Sequence, residues 1–428
     1  MKRAIVLGGG GSRGAYQLGA WEALRALDMD YQMTVGTSIG SINAALMAQG
    51  DFELTERLWE TITVDQVMED GINLYADIDS FFNQNKNLSL FFKRYATNRG
   101  ADITPLIRLV RESVDEEKVR ASGVETGLVT VRFPKLTPLE IMLPGIPQGR
   151  LVDYLMASAA VYPAFPIWHI GEEGFIDGGY YDVLPVNLAL SQGAEEIIAI
   201  DLAPKPTHPH LMNRSCVTVV RPSQSLGPIL LFERSVLDRN RLMGKLDTLR
   251  AFGKVLGVRY SFEPAEAWTH RDKARAFSLE LSRFEASLAY KSAFTRSAGG
   301  TPLSDALKKL LPEYRTISEM DEFLAGAECC AQRLGIEPVT LMTVEQLDEQ
   351  IRSLLPIGEA TALIERLLKL ELTGITGLLA NLDRKALLGC MYLLLKQGSL
   401  GGLLLRGMTL FPEELLSAFY LRYGALAD

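Results

Sequence analysis

The 428-residue sequence predicts an α/β fold: a mostly parallel sheet followed by a mainly α-helical C-terminal region. Three observations predict it. Short apolar runs alternate with segments of helical period through about residue 220, as expected for strands joined by crossover helices. Two of the strand-to-helix junctions are glycine-rich, Gly9-Gly10-Gly11-Ser12-Arg13-Gly14 and Gly36-Thr37-Ser38-Ile39-Gly40. After Arg221-Pro222-Ser223-Gln224-Ser225 the remaining pattern is almost wholly helical.

In chain order, Ala4 to Leu7 reads as a buried strand, and Ser12 to Leu27 carries Tyr16, Ala20, Ala23, Leu24 and Leu27 at helical spacing. Tyr31 to Val35 is the second strand, and Ser41 to Met47 is a helix opening straight from the second glycine turn. From Asp51 to Glu117 the pattern is mostly helical. Val124 to Phe133 and Leu139 to Leu143 are strands around the Pro134 to Pro138 turn. Leu151 to Ala160 is a helix that must end before Pro163 and Pro166. Pro185 opens a short helix closed by Gly193, and Ile197 to Leu202 and Cys216 to Val220 complete the strands. Further on, Leu242, Leu246, Leu249, Gly253 and Leu256 form one stripe, and Gly299-Gly300 reads as a hinge. The expected domains are 1–220, 221–300 as a helical extension packed on the first, and 301–428 as an accessory helical domain.

Composition narrows the class. With 47% hydrophobic and 22% charged residues the chain is of ordinary globular type. A formal net charge of -8 argues against a nucleic-acid polyanion as main partner. Four cysteines, two of them adjacent at Cys329-Cys330, give neither a disulfide ladder nor zinc-ligand spacing. The apolar run after Met1-Lys2-Arg3 stops at Gly8, too soon for a signal peptide, and later Leu-rich runs are broken early. A cytoplasmic location is the expectation; oligomeric state stays open.

Taken alone, G-x-S-x-G around Ser38 is a weak sign, and its bland reading is a βα turn whose serine caps the helix. Its setting between a strand and a small-residue helix is what a nucleophile elbow requires. Gly9-x-Gly11-x-x-Gly14 also fits a dinucleotide fingerprint, which calls for an acidic residue at the end of the second strand. That strand ends in Val35-Gly36-Thr37-Ser38, with Asp28 and Asp30 ahead of it. Asp177, before Gly178-Gly179, is either an Asp-Gly turn or a carboxylate for catalysis. Of the four histidines, His169 precedes Asp177, opposite to the usual Ser, acid, His order, and His208 and His210 flank Pro209 in a loop.

Together these segments resemble the patatin-like phospholipases, a family of serine acyl hydrolases with a Ser-Asp dyad. The resemblance covers roughly residues 4 to 220. It rests on Leu7-Gly8-Gly9-Gly10-Gly11-Ser12-Arg13-Gly14, then Gly36-Thr37-Ser38-Ile39-Gly40, then Asp177-Gly178-Gly179. Ala157-Ser158-Ala159-Ala160, Leu184-Pro185 and Ile197-Ile198-Ala199-Ile200-Asp201 look similar too. Tyr181-Asp182-Val183 departs from the family, which often has an asparagine shortly before that Leu-Pro.

The resemblance implies a three-layer α/β/α domain, Ser38 as nucleophile and Asp177 as its base. It implies an oxyanion hole from Gly9, Gly10, Gly11, Arg13 and Ile39, with Gly14, Gly36, Gly40, Gly178 and Gly179 shaping the turns. Arg13 is open between adding positive charge there and lying exposed on a first helical turn. The implied substrate is a phospholipid, lysophospholipid or other fatty-acyl ester, with no metal and no cofactor. The alternatives are a dinucleotide-binding protein and an inactive scaffold with a helical partner-binding half. Peripheral membrane contact is expected of a lipid enzyme, and Phe81, Phe82, Leu90, Phe91, Phe92 and Tyr95 beside Lys93, Arg94 and Arg99 are either such a patch or, the favoured reading, the core of a helical insertion.

Overall fold

Two strand–turn–helix units open the chain, and parallel pairing sets them side by side. A computed structural model describes residues 1–68, 101–203, 208–291, 318–368, 383–397 and 411–426. The aromatic and basic cluster between Phe81 and Arg99, and Gly299-Gly300, lie outside the described residues. The chain divides into two compact units, Met1–Phe252 and Gly253–Asp428, where the sequence reading divides after 220 and 300.

The first unit begins with β1 (Arg3–Leu7), α1 (Ala15–Ala26), β2 (Met33–Thr37), α2 (Ile39–Gln49) and α3 (Phe52–Thr61). It continues with α4 (Thr104–Ser113), α5 (Glu116–Ala121), β3 (Glu125–Phe133), β4 (Thr137–Met142), α6 (Leu151–Ser158), β5 (Trp168–Ile170) and β6 (Glu173–Asp177). It closes with α7 (Val186–Ser191), β7 (Glu196–Ile200), α8 (Pro209–Met212), β8 (Val217–Val220) and α9 (Arg234–Ala251). The sheet order is β5-β6-β3-β2-β1-β7-β8, with β4 also on β3. Strands β3, β2, β1, β7 and β8 are parallel to their neighbours in that run. The β4, β5 and β6 pairings are antiparallel.

Alternation along the strands separates the layers. Ala4, Val6, Met33, Val35, Ile197 and Ala199 share a core with Val186, Leu188 and Ala189 of α7. Thr34, between Met33 and Val35, points the other way, donating from Oγ1 to the Ala44 carbonyl of α2 at 3.0 Å. Helices thus cover both faces of the sheet. On the α2 side, α1 and α9 pack almost backbone to backbone. A Cβ at Gly19 would lie 1.8 Å from the Arg241 carbonyl oxygen, and one at Gly244 1.9 Å from that of Tyr16. This contact corrects the expected leucine stripe in part: Leu246 is buried, but α9 ends before Gly253, Leu242 is exposed, and Asn240, Gly244 and Thr248 are buried beside Leu246.

Strand β3 explains how the site is assembled. Its residues 127–132 pair with β4, so β2 and β6 must share the opposite edge end to end. β2 runs parallel to β3 and finishes with Thr37 opposite Val129. β6 runs antiparallel and finishes with Asp177 opposite Thr130. The two strands therefore meet head on, and Ser38 is one residue past the junction.

The second unit contains β9 (Ser261–Phe262), α10 (Glu266–Thr269), α11 (Arg271–Lys291), α12 (Glu319–Leu334), β10 (Leu341–Met342) and α13 (Val344–Leu354). After these come α14 (Ile357–Leu368), α15 (Arg384–Lys396) and α16 (Pro412–Tyr420). Phe277 packs edge-on against Phe323 and Phe419, with ring centroids 5.7 and 5.5 Å apart, in the centre of its core. Ser318 and Thr343 start α12 and α13 with reciprocal capping boxes, and Gly335 stops α12 in a left-handed turn. No helix among the described residues is long and apolar enough to cross a membrane.

Candidate active site

Ser38 turns the chain from β2 into α2 with φ 56° and ψ −129°, a conformation costly for a residue with a Cβ. Its flanking glycines are set by close backbone approach. A Cβ at Gly36 would lie 2.1 Å from the Gly40 oxygen, and one at Gly40 2.2 Å from the Leu7 oxygen. The turn is fixed from outside as well. Ser38 donates its N–H to Ser158 Oγ at 2.9 Å, and Ser158 Oγ donates onward to the Val129 carbonyl at 2.7 Å. The Ser38 carbonyl accepts both the N–H and the hydroxyl of Ser41.

Asp177 is 2% exposed. Its N–H donates to the Ala160 carbonyl at 2.8 Å, and its Oδ1 accepts the Gly179 N–H at 2.7 Å. Oδ2 is buried without a formed hydrogen bond. Burial pushes the carboxyl up to about 6, while the Gly179 N–H and the Ser38 hydroxyl oppose the rise. The Ser38 hydroxyl thus interacts with the carboxyl without aligned hydrogen-bond geometry. Gly178 follows because a Cβ there would meet the Val129 oxygen at 2.1 Å.

The first glycine loop borders this pair: a Cβ at Gly9 would come 3.2 Å from Ser38 Cβ. Backbone bonding then sorts its N–H groups. Gly9 donates to the Val183 carbonyl at 2.9 Å, Ser12 to that of Ile229 at 2.7 Å, and Arg13 to that of Gly10 at 3.2 Å. Gly10, Gly11 and Ile39 are left with N–H groups that find no acceptor among the described residues. The expectation of Gly9 as a donor is therefore corrected, since its N–H is already committed. Arg13 is buried, and its Nε donates to the Gly227 carbonyl at 2.7 Å, so it is not an exposed first-turn arginine. Gly14 lets the start of α1 approach α2, where a Cβ would meet Ile39 Cγ1 at 2.6 Å.

Several residues that hold the site had no sequence signal of their own. Gln17 Nε2 donates to the Gly8 carbonyl at 2.7 Å, and Asn43 Nδ2 lies 2.7 Å from Gln17 Oε1 and 3.2 Å from the Gly14 carbonyl. Both ends of the glycine loop are thereby tied to α2, the helix that Ser38 begins. The 227–229 carbonyls grip the loop from the other side through Ser12 and Arg13.

Ser38, Asp177 and Gly9 to Gly11 line one cavity of about 780 Å³. Its remaining wall is mostly apolar, including Ile42, Leu106, Phe165, Leu202, Ile229 and Phe232. No histidine or cysteine lines it among the described residues. His169 is exposed on edge strand β5 and lies outside this cavity. His208, expected in a solvated loop, is half-buried with Nε2 2.7 Å from Asp182 Oδ1.

Fold and site define a class: a three-layer α/β domain with a serine elbow, a buried aspartate beside it and a glycine loop over both. Residues 5–190 match the Patatin-like phospholipase family, and the first unit carries a domain of that family. Over 209 residues the chain is 27% identical to Patatin-like phospholipase domain-containing protein 7 of Mus musculus, a match covering 46% of this chain and 13% of that protein. Over 208 residues it is 27% identical to Lysophospholipase NTE1 of Mycosarcoma maydis, covering 47% of this chain and 10% of that one. The match thus spans a small part of either relative. The crystal structure of VipD from Legionella pneumophila is similar over 100% of this chain and 91% of that chain, at TM-score 0.39 and 13% identity.

Proposed function

We propose that the first unit is a serine lipid acyl hydrolase acting on phospholipid, lysophospholipid or related fatty-acyl esters. The observation that carries the reading is the buried, unbonded Oδ2 of Asp177 in the same cavity as the Ser38 elbow. A serine hydroxyl is a weak nucleophile without a base in reach. A carboxylate raised towards 6 is a better match for that proton than an ordinary one near 4.

In the proposed cycle Ser38 Oγ attacks the ester carbonyl and passes its proton to Asp177. The negative charge on the carbonyl oxygen is met by the free N–H groups of Gly10 and Gly11, with Ile39 N–H at the positive end of α2. Each such donor is worth about 3 kcal/mol in acyl-transfer sites. Collapse expels the alcohol, which takes the proton from Asp177, and leaves acyl-Ser38. Water, deprotonated by Asp177, then attacks the acyl carbonyl, and collapse releases the fatty acid as Ser38 Oγ takes the proton back from Asp177. The apolar wall suits an acyl chain, and the family and the lysophospholipase-named relative support the lipid class.

Fatty-acid release from mixed phospholipid and lysophospholipid micelles tests the proposal. Wild type is expected to release acid, Ser38→Ala to release none, and Asp177→Asn to lose at least a hundredfold in kcat. Release that persists in Ser38→Ala would remove the serine from the mechanism.

A further inference from the structure

The geometry points to a divalent transition-metal site of the zinc type in the second unit, formed by Glu266, His270 and Glu345. Among the described residues these three side chains bring one imidazole nitrogen and two carboxylate oxygens within 4.8 Å of one another. Glu266 and His270 are four residues apart where α10 passes into α11, so they share a helix face. Glu345 comes from the first turn of α13.

His270 carries the argument beyond a cluster of acids. Its ring is 5% exposed, and Nε2 lies 3.2 Å from Glu266 Oε2 and 2.9 Å from Glu345 Oε1. At those distances a ring N–H aimed at either oxygen would form a well-aligned hydrogen bond, yet Nε2 meets neither oxygen in aligned geometry. The nitrogen thus stands in close charge contact with both carboxylates without an aligned hydrogen bond to either, an arrangement open to a cation between the three atoms. Two further features suit a cation. Glu266 Oε2 also accepts the Val344 N–H at 2.8 Å, an outer bond that fixes the carboxylate. Glu345 is largely exposed, which leaves a side open for water as a fourth ligand. Lys273, the neighbouring cation, has its ammonium 4.0 Å from Asp348 Oδ2.

Imidazole with two carboxylates favours zinc and similar first-row ions over magnesium or calcium, which prefer all-oxygen sets. A bound ion would tie residues 266–270 to 344–345, just past the paired strands β9 and β10. Its role is a structural staple of the second unit, separate from the proposed acyl chemistry.

The test uses the full chain, stripped with a chelator and desalted, then titrated with zinc against a chromophoric competitor and with cobalt by visible absorption. Expected are saturable binding of one equivalent, and a melting temperature that zinc raises in wild type. Glu345→Gln, an exposed change that spares the fold, and His270→Gln should each weaken binding about tenfold or more. Absence of saturable binding in folded wild type, or binding unchanged in both variants, overturns the site.

Discussion

A carboxyl group held at 2% exposure, with one oxygen unbonded, gives up its proton late; burial raises Asp177 from an ordinary 3.8 to about 6. As the base it must be ionised, so kcat/KM is expected to rise with pH through an apparent pKa of about 6. Stability moves in the opposite sense. Between about pH 4 and 6 the native chain keeps this proton while the unfolded chain has released it, so stability falls as pH rises through that window. The difference corresponds to about 3 kcal/mol above pH 6. Asp177→Asn can keep the Gly179 bond and never ionises, so urea unfolding should find it about 2–3 kcal/mol more stable than wild type at pH 8, with the gain gone at pH 4. Ser158 is a positioning residue on the proposed mechanism: Ser158→Ala leaves the Ser38 N–H unbonded, and kcat is expected to fall about tenfold with KM nearly unchanged. The glycines around Ser38 and after Asp177 mark both as candidates in the sequence, and the family resemblance pairs them. Ser158 enters the sequence reading only within the segment Ala157-Ser158-Ala159-Ala160, and Gln17 and Asn43 do not enter it, since a lone hydroxyl or amide in a helix carries no mark of the distant group it binds.

Among the elements, the parallel strands and their following helices were readable from apolar runs and helical period. The apolar run predicts β2 at Tyr31 to Val35, whereas the strand runs Met33–Thr37, because pairing with β1 and β3 on both sides overrides the poor strand propensity of Gly36. The sequence reading assigns no strands to the β5–β6 hairpin, whose short runs follow Pro163 and Pro166 and are separated by Gly171 in a left-handed turn. Yet that hairpin delivers Asp177 to the head of β2. The α1–α9 contact makes a sharp element-level prediction. Gly244→Ala places a methyl against the Tyr16 carbonyl and should cost about 2–3 kcal/mol in urea unfolding. Gly358→Ala, in α14 with nothing within 4 Å of the new carbon, should instead stabilise by about 0.5 kcal/mol.

For the molecule as a whole, the two units have separate cores, and every residue lining the Ser38 cavity belongs to Met1–Phe252. The helical character of the second unit was plain from its period, whereas its pairings were hidden, because the partners of Phe277 lie on helices far along the chain. The proposed chemistry requires one serine, among all those in the 428-residue chain, to be uniquely reactive. Treatment with a fluorophosphonate probe, followed by peptide mapping by mass spectrometry, measures this most directly. The account predicts stoichiometric modification of Ser38, absent in Ser38→Ala and lost or strongly reduced in Asp177→Asn. An unmodified Ser38 in folded wild-type protein, or modification undiminished in Asp177→Asn, would contradict it.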